Sequence, residues 1–438
     1  MAPPTGTTGT QLSRRQWAFA FALLLDVLNA HFQTVFGISK LQSTLLQLAY
    51  FGAYFVWAPF AGIFMRRVGY KKGIHIGLSL YSIGAVFFWP SAKYEVMEGC
   101  GLSTLEVAAN SYISVLGTPQ YAAARLNFSQ GFQGVASFAG PLIASRWFFT
   151  GANATSLGTV QWVYLAVAGL GVVLNILFFF CNLPEITEDA LAEEIDEVGI
   201  TDGQGPFRQQ YRCIFGFVAQ TAYFTIASFA VNFLVDQGIG IDQSKASELF
   251  SLCQVTFTVG RFVGVVILNF IDPALLLAFY GFCCSLFCLL VSQLPGYNAV
   301  ACLFCLFFFE SICYPCIFTL GTKNLGVHTK RGSGLIVMGV GGGAWYPPAQ
   351  GGLADKTSTQ HSYLVPLSGY IAMTIYAVGL VVDQARKNGF SFRNRDELTA
   401  NLNNATSNLS PTESLPDDAK GRSSSEKKLS SDELVRVA

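Results

Sequence analysis

The sequence predicts an all-α integral membrane protein. Of its 438 residues, 52% are hydrophobic and only 12% are charged, whereas soluble globular chains carry about 25% charged residues. A run of about 20 apolar residues spans the hydrocarbon layer, where only helices and closed barrels satisfy the backbone. The apolar stretches of this chain do not alternate with polar residues as barrel strands do, so the sequence favours helices.

Apolar segments recur along the chain, and we predict twelve spans from them. They lie near residues 17–36, 41–65, 74–92, 99–117, 128–148, 160–181, 213–235, 247–271, 274–293, 298–320, 332–353 and 363–382. An acidic segment after the sixth span is too polar to enter a bilayer, so the spans divide six and six. The predicted order is a cytoplasmic tail, an N-terminal bundle, an acidic cytoplasmic linker, a C-terminal bundle and a disordered cytoplasmic tail, at 1–16, 17–181, 182–212, 213–382 and 383–438.

The distribution of basic residues predicts that both termini are cytoplasmic. With the N-terminus inside, fourteen basic residues fall on the inner side and five in the outer loops, in agreement with the positive-inside rule. The glycosylation sequon at Asn153 then lies in an outer loop, and we expect Asn153 to be modified. These features indicate a multi-pass protein of the plasma membrane. A formal net charge of zero gives no indication of a nucleic-acid partner.

Four charged residues interrupt the apolar spans, where a charge costs at least ~2.5–3.5 kcal/mol at mid-helix and is therefore a functional candidate. They are Asp26, Glu106, Arg261 and Glu310. Asp26 is followed by Asn29, and Glu106 by Asn110, each about one helical turn later. A carboxyl group in a dry site holds its proton more tightly than one in water, which suits proton loading and release. The alternatives are a helix-end charge facing water for Asp26 and a structural hydrogen bond between helices for Glu106.

The other two charges and the polar amides form a second set of candidates. Arg261 fits a structural role, reaching backbone carbonyls or a carboxylate, and the role of Glu310 stays open. The amides inside spans are Gln47, Gln130, Gln133, Asn232 and Gln254. Sugar hydroxyls both donate and accept hydrogen bonds and the sugar ring has an apolar face, so amides and aromatic rings suit a sugar site. The candidate rings are Tyr50, Tyr54 and Tyr314, and packing is the alternative role for each.

Three further patterns do not support a chemical role. The CxxC spacings at 302–305 and 313–316 lie on apolar helical sequence beside phenylalanines, which favours packing over metal or redox chemistry. The glycine cluster at 339–343 follows no strand and precedes no Gly-Lys-Ser/Thr, so it predicts close packing or a bend of a helix. No arrangement of nucleophile and base is evident, and we expect neither an enzyme nor a cofactor or metal site.

Twelve spans divided six and six by a long cytoplasmic linker are the layout of the major facilitator architecture, in which two similar bundles rock about a site at the membrane midplane. Several motifs resemble those of the L-fucose:proton symporter family, a branch of that superfamily, and the first of them resembles its fungal members. They are LDVLNAHFQ at 25–33, LEVAAN at 105–110, RLNFSQ at 125–130, GRFVG at 260–264 and YPCIFTLGTKNLG at 314–326.

The resemblance implies proton-coupled uptake of a monosaccharide by alternating access. In that family the carboxylates of helices one and four are linked to the proton and the sugar, and they match Asp26 and Glu106 here. Gln133 matches a sugar-contacting amide. The residue types and positions add further candidates for sugar binding, namely Asn29, Gln47, Asn110, Gln130 and Tyr314. We expect a monomer in the lipid bilayer with a monosaccharide and a proton as ligands.

Three departures from the family pattern concern the helices of the candidate site. Helix one has only about nine apolar residues before Asp26, and helix four runs from Glu98 almost directly into its motif. Ala227 stands where the family usually has Gln. We therefore predict that helices one and four are shortened. The alternative function is a non-transporting or sensor-like remnant, or splice form, of such a transporter.

Overall fold

The computed structural model describes residues 39–88, 95–138, 158–180, 210–223 and 226–393, together with Gln33 and Leu142. Within these ranges the regular secondary structure is helical, as the sequence predicts, and contains no strand. Three of the predicted site residues lie outside the described residues, namely Asp26, Asn29 and Asn153.

The described helices form a first and a second half on either side of residues 181–209. The first half contains α1 (Lys40–Ser43), α2 (Leu45–Phe88), α3 (Glu95–Val115), α4 (Ala122–Ser137) and α5 (Gly158–Phe179). The second half contains α6 (Tyr211–Tyr223), α7 (Ala230–Asp236), α8 (Gln243–Leu268), α9 (Pro273–Gln293), α10 (Gly296–Glu310), α11 (Cys313–Thr322), α12 (Thr329–Met338), α13 (Tyr346–Lys356) and α14 (Leu364–Asn388). The last helix therefore continues past residue 382, where the sequence placed its end.

Six helical segments in the described part of the chain are long and apolar enough to cross a membrane. One of them, Gln47–Val86, covers the predicted second and third spans. The two spans meet at Gly69, whose φ of 83° breaks the helical path of α2 and is a conformation that glycine adopts without steric cost. The boundary predicted between these two spans is therefore a kink in α2.

Helix α3, the predicted fourth span, differs from these six in composition rather than in length. Its 21 residues extend over about 30 Å at 1.5 Å per residue, which matches the hydrocarbon thickness. It is more polar than the six apolar helices, because Glu95, Glu98, Glu106, Asn110 and several Ser and Thr residues are spread along it. Helix four is therefore not shortened in length, contrary to the prediction, and the predicted shortening of helix one lies outside the described residues.

The predicted tenth and eleventh spans are both discontinuous in the structure. The tenth divides into α10 and α11 around Ser311, because Pro315 has no N–H to bond the carbonyl four residues earlier. The eleventh divides into α12 and α13 around the 3₁₀ segment Gly339–Ala344. A Cβ atom at Gly342 would collide with the backbone carbonyl of Thr221 on α6. The glycine cluster thus allows close packing and a bend, as the sequence predicts.

The helices at the periphery expose apolar stripes on the face that points away from the core. The exposed side chains recur at intervals of three and four residues, which places them on one face of each helix. They are Phe279, Phe282, Leu286 and Leu289 on α9, and Ile371, Ile375, Val378 and Val382 on α14. Soluble proteins rarely expose continuous apolar faces of this kind, and the faces fit the membrane location that the sequence predicts.

The two halves pack most extensively at two places. Helix α2 packs against α12 and the 3₁₀ segment of the second half, and α4 packs against α8. At the second contact, Asn127 donates a hydrogen bond from Nδ2 to the backbone oxygen of Arg261 over 2.8 Å. The side chains between these two contacts face a shared interior, which contains the candidate site.

Candidate functional site

A cavity lies between the two halves and is lined by side chains from both. Its empty volume is about 1020 Å³, including space open to solvent. From the first half it is lined by Tyr50, Phe51, Tyr54, Glu106, Gln130, Gln133, Gly134 and Ser137. From the second half it is lined by Tyr223, Ile226, Ala227, Ser228, Gln254, Phe257, Arg261, Phe307, Glu310, Tyr314, Val340 and Gly343.

Glu106 is a buried carboxylate on the wall formed by the first half. Its exposed fraction is 4%, and Asn110, one turn later on α3, donates from Nδ2 to Glu106 Oε1 over 3.4 Å. The same Nδ2 donates to the hydroxyl of Tyr314 over 2.9 Å, so this amide joins the two halves. Within the described residues, Glu106 Oε2 has no hydrogen-bond partner. A buried acceptor in this state is costly, and a proton or a ligand hydroxyl would satisfy it.

Arg261 crosses from α8 to the first half of the molecule. It is 4% exposed, and its Nη1 donates to the backbone oxygen of Gln130 over 2.6 Å and to Gln133 Oε1 over 3.5 Å. The guanidinium also lies 4.6 Å from the centre of the Phe257 ring. The contact with the Gln130 carbonyl is expected for a structural arginine. The side chain of Arg261 also places a positive charge on the cavity wall.

Glu310 is a second carboxylate on the cavity wall, contributed by the end of α10. It is 8% exposed, and its Oε1 accepts a hydrogen bond from the hydroxyl of Tyr370 on α14 over 3.0 Å. Arg261 lies close enough to interact electrostatically with both Glu310 and Glu106. The lining residues described here thus include two carboxyl groups and one guanidinium, so one bound proton would cancel the net charge of these three groups.

The structure brings most of the predicted site residues together. Five line the cavity, namely Glu106, Gln130, Gln133, Arg261 and Tyr314. Asn110 is outside the lining and acts on it through its bonds to Glu106 and Tyr314. Gln47 is buried, with 2% of its surface exposed, and it does not belong to the lining as described.

Several lining residues were not chosen from the sequence as site residues. One of them, Phe257, could have been found from the sequence, because it is three residues from Gln254 and four from Arg261, two candidates, and therefore shares their face of α8. Gln254 also accepts a hydrogen bond from Ser137 of the first half over 3.5 Å. Tyr223 and Ser228 border a break in the predicted seventh span, and no local pattern indicates that their side chains face the interior.

Comparison with known proteins assigns the fold that surrounds this cavity. Residues 16–347 match the model of the family described as the Major Facilitator Superfamily. The match covers well over half of the chain and contains every residue that lines the cavity. The chain belongs to the major facilitator superfamily. The predicted all-helical architecture of that superfamily is thereby confirmed, and the protein is a multi-pass membrane protein.

Named relatives share most of their length with this chain. It is 32% identical over 381 residues to a glucose/galactose transporter of Brucella abortus biovar 1 (strain 9-941), covering 83% of this chain and 90% of the relative. It is 28% identical over 401 residues to an L-fucose-proton symporter of Escherichia coli (strain K12), covering 82% and 90%. Both support the resemblance to fucose symporters. Both are bacterial, so they give no support to the fungal type.

Solved structures give the same result at the level of the fold. The transporter FucP in the outward conformation matches with a TM-score of 0.69 and 27% identity, covering 84% of this chain and 97% of that chain. The proton:xylose symporter XylE bound to 6-bromo-6-deoxy-D-glucose matches with a TM-score of 0.67, covering 89% and 97%. Its identity is 12%, so this second match shows a shared fold alone.

Proposed function

We propose that this protein is a proton-coupled monosaccharide symporter that works by alternating access. The observation that carries the proposal is the buried carboxyl group of Glu106, which lies in a cavity built by both halves and is surrounded by the polar groups of Asn110, Tyr54 and Tyr314. The described lining holds two carboxyl groups and one guanidinium, so a bound proton reduces its negative charge. A loaded cavity with a smaller net charge costs less to enclose within the membrane.

The composition of the cavity supports a sugar as the co-transported solute. Amide side chains from both halves, Gln130, Gln133 and Gln254, provide donors and acceptors for hydroxyl groups. Tyr54, Phe257 and other rings provide apolar faces for the carbon skeleton. Relatives named as transporters of glucose and galactose, or of L-fucose with a proton, agree with this class of solute. A hexose or deoxyhexose is therefore the proposed substrate.

We assign roles to the candidate residues on this basis. Glu106 carries the proton, together with Asp26 of the first predicted span. Gln130, Gln133 and Tyr314 contact the sugar, Asn29 and Gln47 belong to the same proposed set, and Asn110 positions Glu106 and Tyr314. Arg261 holds α8 against α4 and offsets the charge of one of the two carboxylates.

The proposal also covers the orientation and location of the protein, the divisions of the chain and its oligomeric state. The excess of basic residues on one side supports cytoplasmic termini, a plasma-membrane location and glycosylation of Asn153. The proposed divisions of the chain are 1–16, 17–181, 182–212, 213–382 and 383–438, with the last helix reaching Asn388. We propose a monomer, since both halves of one chain contribute described residues to the cavity wall. Membership of the fungal type stays a prediction.

Substitution of Glu106 tests the proton role. In reconstituted vesicles, we expect Glu106→Gln to abolish accumulation of sugar driven by a proton gradient and to retain exchange of sugar between the two sides. The amide preserves size and hydrogen bonding and cannot cycle a proton. Glu248→Gln, which changes an exposed glutamate on α8, is the matched control and should accumulate sugar normally. Normal accumulation by Glu106→Gln would remove Glu106 from the coupling mechanism.

The polar first half of α3 favours a second candidate, a non-transporting or sensor-like form. A helix whose apolar stretch is short inserts less readily and depends on its neighbours. Such a protein would bind the sugar in the cavity and would not move it across the membrane. The exchange arm of the same experiment separates the two functions, because binding without exchange in the wild-type chain is the result expected of a sensor.

A further inference from the structure

A short segment after the last helix folds back onto the second half, and we call residues 389–393 the C-terminal strap. The backbone N–H of Asp272 donates to the carbonyl oxygen of Phe392 over 3.1 Å. Next to this bond, Ile271 and Arg393 pair in an antiparallel bridge. Ile271 and Asp272 belong to the turn between α8 and α9. The strap is therefore held against that turn by backbone contacts.

The turn that holds the strap fixes its level relative to the membrane. Residues 269–272 connect α8 to α9, and both helices are long and apolar enough to cross a bilayer. A turn between two such helices lies at the membrane surface, because irregular backbone in contact with lipid is not tolerated within the hydrocarbon layer. The strap is bonded directly to this turn, so it lies at the same surface.

The strap exposes two aromatic rings at this level. The chain leaves α14 at Gly389, whose φ of 75° and ψ of 157° lie in a region open essentially to glycine alone. Beyond this turn, Phe390 is 56% exposed and Phe392 is 68% exposed, and their ring centres lie 4.9 Å apart, edge to face. Phe270, in the turn that holds the strap, is 66% exposed. Three exposed phenylalanines in two bonded segments form an unfavourable surface in water.

These rings continue an apolar face of the helices and are accompanied by cations. Exposed side chains at intervals of three and four residues lead along α8 to the turn, namely Val259, Val263, Val266 and Phe270. Two exposed arginines flank the rings in the chain, Arg386 before them and Arg393 after them. Apolar rings beside cations suit the interface of an anionic bilayer, because the rings enter the boundary of the acyl chains and the cations meet the charged headgroups.

We propose that the C-terminal strap is a membrane-surface anchor, which inserts Phe390 and Phe392 among the lipids and sets Arg386 and Arg393 against anionic headgroups. Its partner is the leaflet at the end of α14, which is the cytoplasmic leaflet in the proposed orientation. The anchor fixes the end of α14 at one depth. This inference goes beyond the proposed function and does not depend on it, since neither ring nor arginine lines the central cavity.

Depth-dependent quenching of fluorescence tests the anchor. The full chain carries a genetically encoded fluorescent amino acid, spectrally distinct from tryptophan, in place of Phe392 and is reconstituted in phosphatidylcholine vesicles containing phosphatidylglycerol. Lipids brominated near the top of their acyl chains should quench this probe several-fold more than they quench the same probe at position 391. Position 391 is the matched control, because Ser391 lies on the wall of a small cavity in the protein. Iodide dissolved on both sides should quench the probe at 392 only weakly.

The role of the cations is tested in the same vesicles. Quenching at 392 by brominated lipid should be stronger with phosphatidylglycerol than in phosphatidylcholine alone, because anionic lipid attracts the two arginines. The combined change Arg386→Gln and Arg393→Gln should abolish this difference. A difference that persists in the variant would overturn the part assigned to the arginines.

Two further results would overturn the anchor itself. Quenching at 392 by iodide and not by brominated lipid would show that the ring lies in water. Quenching by neither would show that protein covers the ring, either another part of the chain or a second copy. Equal quenching at 391 and 392 would contradict a strap held in the paired geometry. Melting temperatures in detergent confirm that each labelled protein is folded.

Discussion

At the scale of single residues, the bond between Asn110 and Tyr314 is the most informative contact in the cavity. One amide group bonds a carboxylate in its own half and a phenol in the other. The arrangement therefore links the protonation state of Glu106 to the contact between the halves. Glu106, Gln133 and Tyr314 could be chosen from the sequence because a polar residue within an apolar span has few structural explanations.

Removal of the Tyr314 hydroxyl tests this link. Tyr314→Phe leaves the amide of Asn110 without its partner in the other half, a loss of about 1–3 kcal/mol for a buried donor. We expect a lower melting temperature in detergent and weaker sugar binding. Tyr297→Phe is the matched control, since Tyr297 is 73% exposed and should melt as the wild type does. Equal melting of the two variants would show that the contact contributes nothing.

Other cavity residues could not be predicted from the sequence for a physical reason. The orientation of Tyr223 and Ser228 depends on how the broken seventh span is rotated against its neighbours, which is set by packing between distant segments. The pairing of Glu310 with Tyr370 likewise joins residues 60 positions apart. The sequence identifies Glu310 as costly, and only the fold shows that its neighbours place it on the wall of the cavity.

At the scale of helices, the end of the molecule that the proposed orientation places outside, here called the outer end, holds a cluster that joins the halves. Lys40 Nζ lies 2.7 Å from Asp236 Oδ2 at the end of α7 and 2.5 Å from the hydroxyl of Thr359. The carboxylate of Asp355 at the end of α13 accepts from the backbone N–H groups of Lys40 and Leu41 at 3.2 and 3.1 Å. The start of α1 is thus bonded to α7 and α13 of the second half.

We predict that this outer cluster stabilises the state closed to the outside. Lys40→Asp places like charges together and should disfavour the closed state. A partly exposed ion pair contributes about 0.2–1 kcal/mol, so we expect a several-fold change in the equilibrium between the closed and open states. The rate at which a membrane-impermeant maleimide labels a cysteine introduced by Ser228→Cys, on the cavity wall, measures the shift. Labelling should be faster in Lys40→Asp and should return to the original rate when Asp236→Lys is added. Unchanged rates would show that the cluster is not a gate.

The helices also show which structural features local sequence can predict. The length of the apolar segments predicted the spans, because a membrane helix must cover the hydrocarbon layer irrespective of the helices around it. The kink at Gly69 and the 3₁₀ segment at Gly339–Ala344 could be anticipated only as breaks or bends. Their geometry depends on partners in other helices, such as the carbonyl of Thr221 that excludes a side chain at Gly342.

At the scale of the whole molecule, the halves are joined on both sides of the cavity. The outer side is joined by the cluster at Lys40. On the inner side, Lys330 lies 4.6 Å from the centre of the Tyr70 ring, and α12 packs closely against α2. Contacts at both ends that can break in turn are what alternating access requires, since a solute must be exposed to one side at a time.

Proton movement coupled to sugar movement is the most direct measure of the proposed function. The purified chain is reconstituted in vesicles, and external pH is followed when D-glucose, D-galactose or L-fucose is added without a pre-formed gradient. At least one sugar should make the external medium more alkaline as it enters, and an imposed inward proton gradient should concentrate that sugar inside. Entry of sugar with no change in external pH would contradict proton coupling, and entry of none of them would contradict transport.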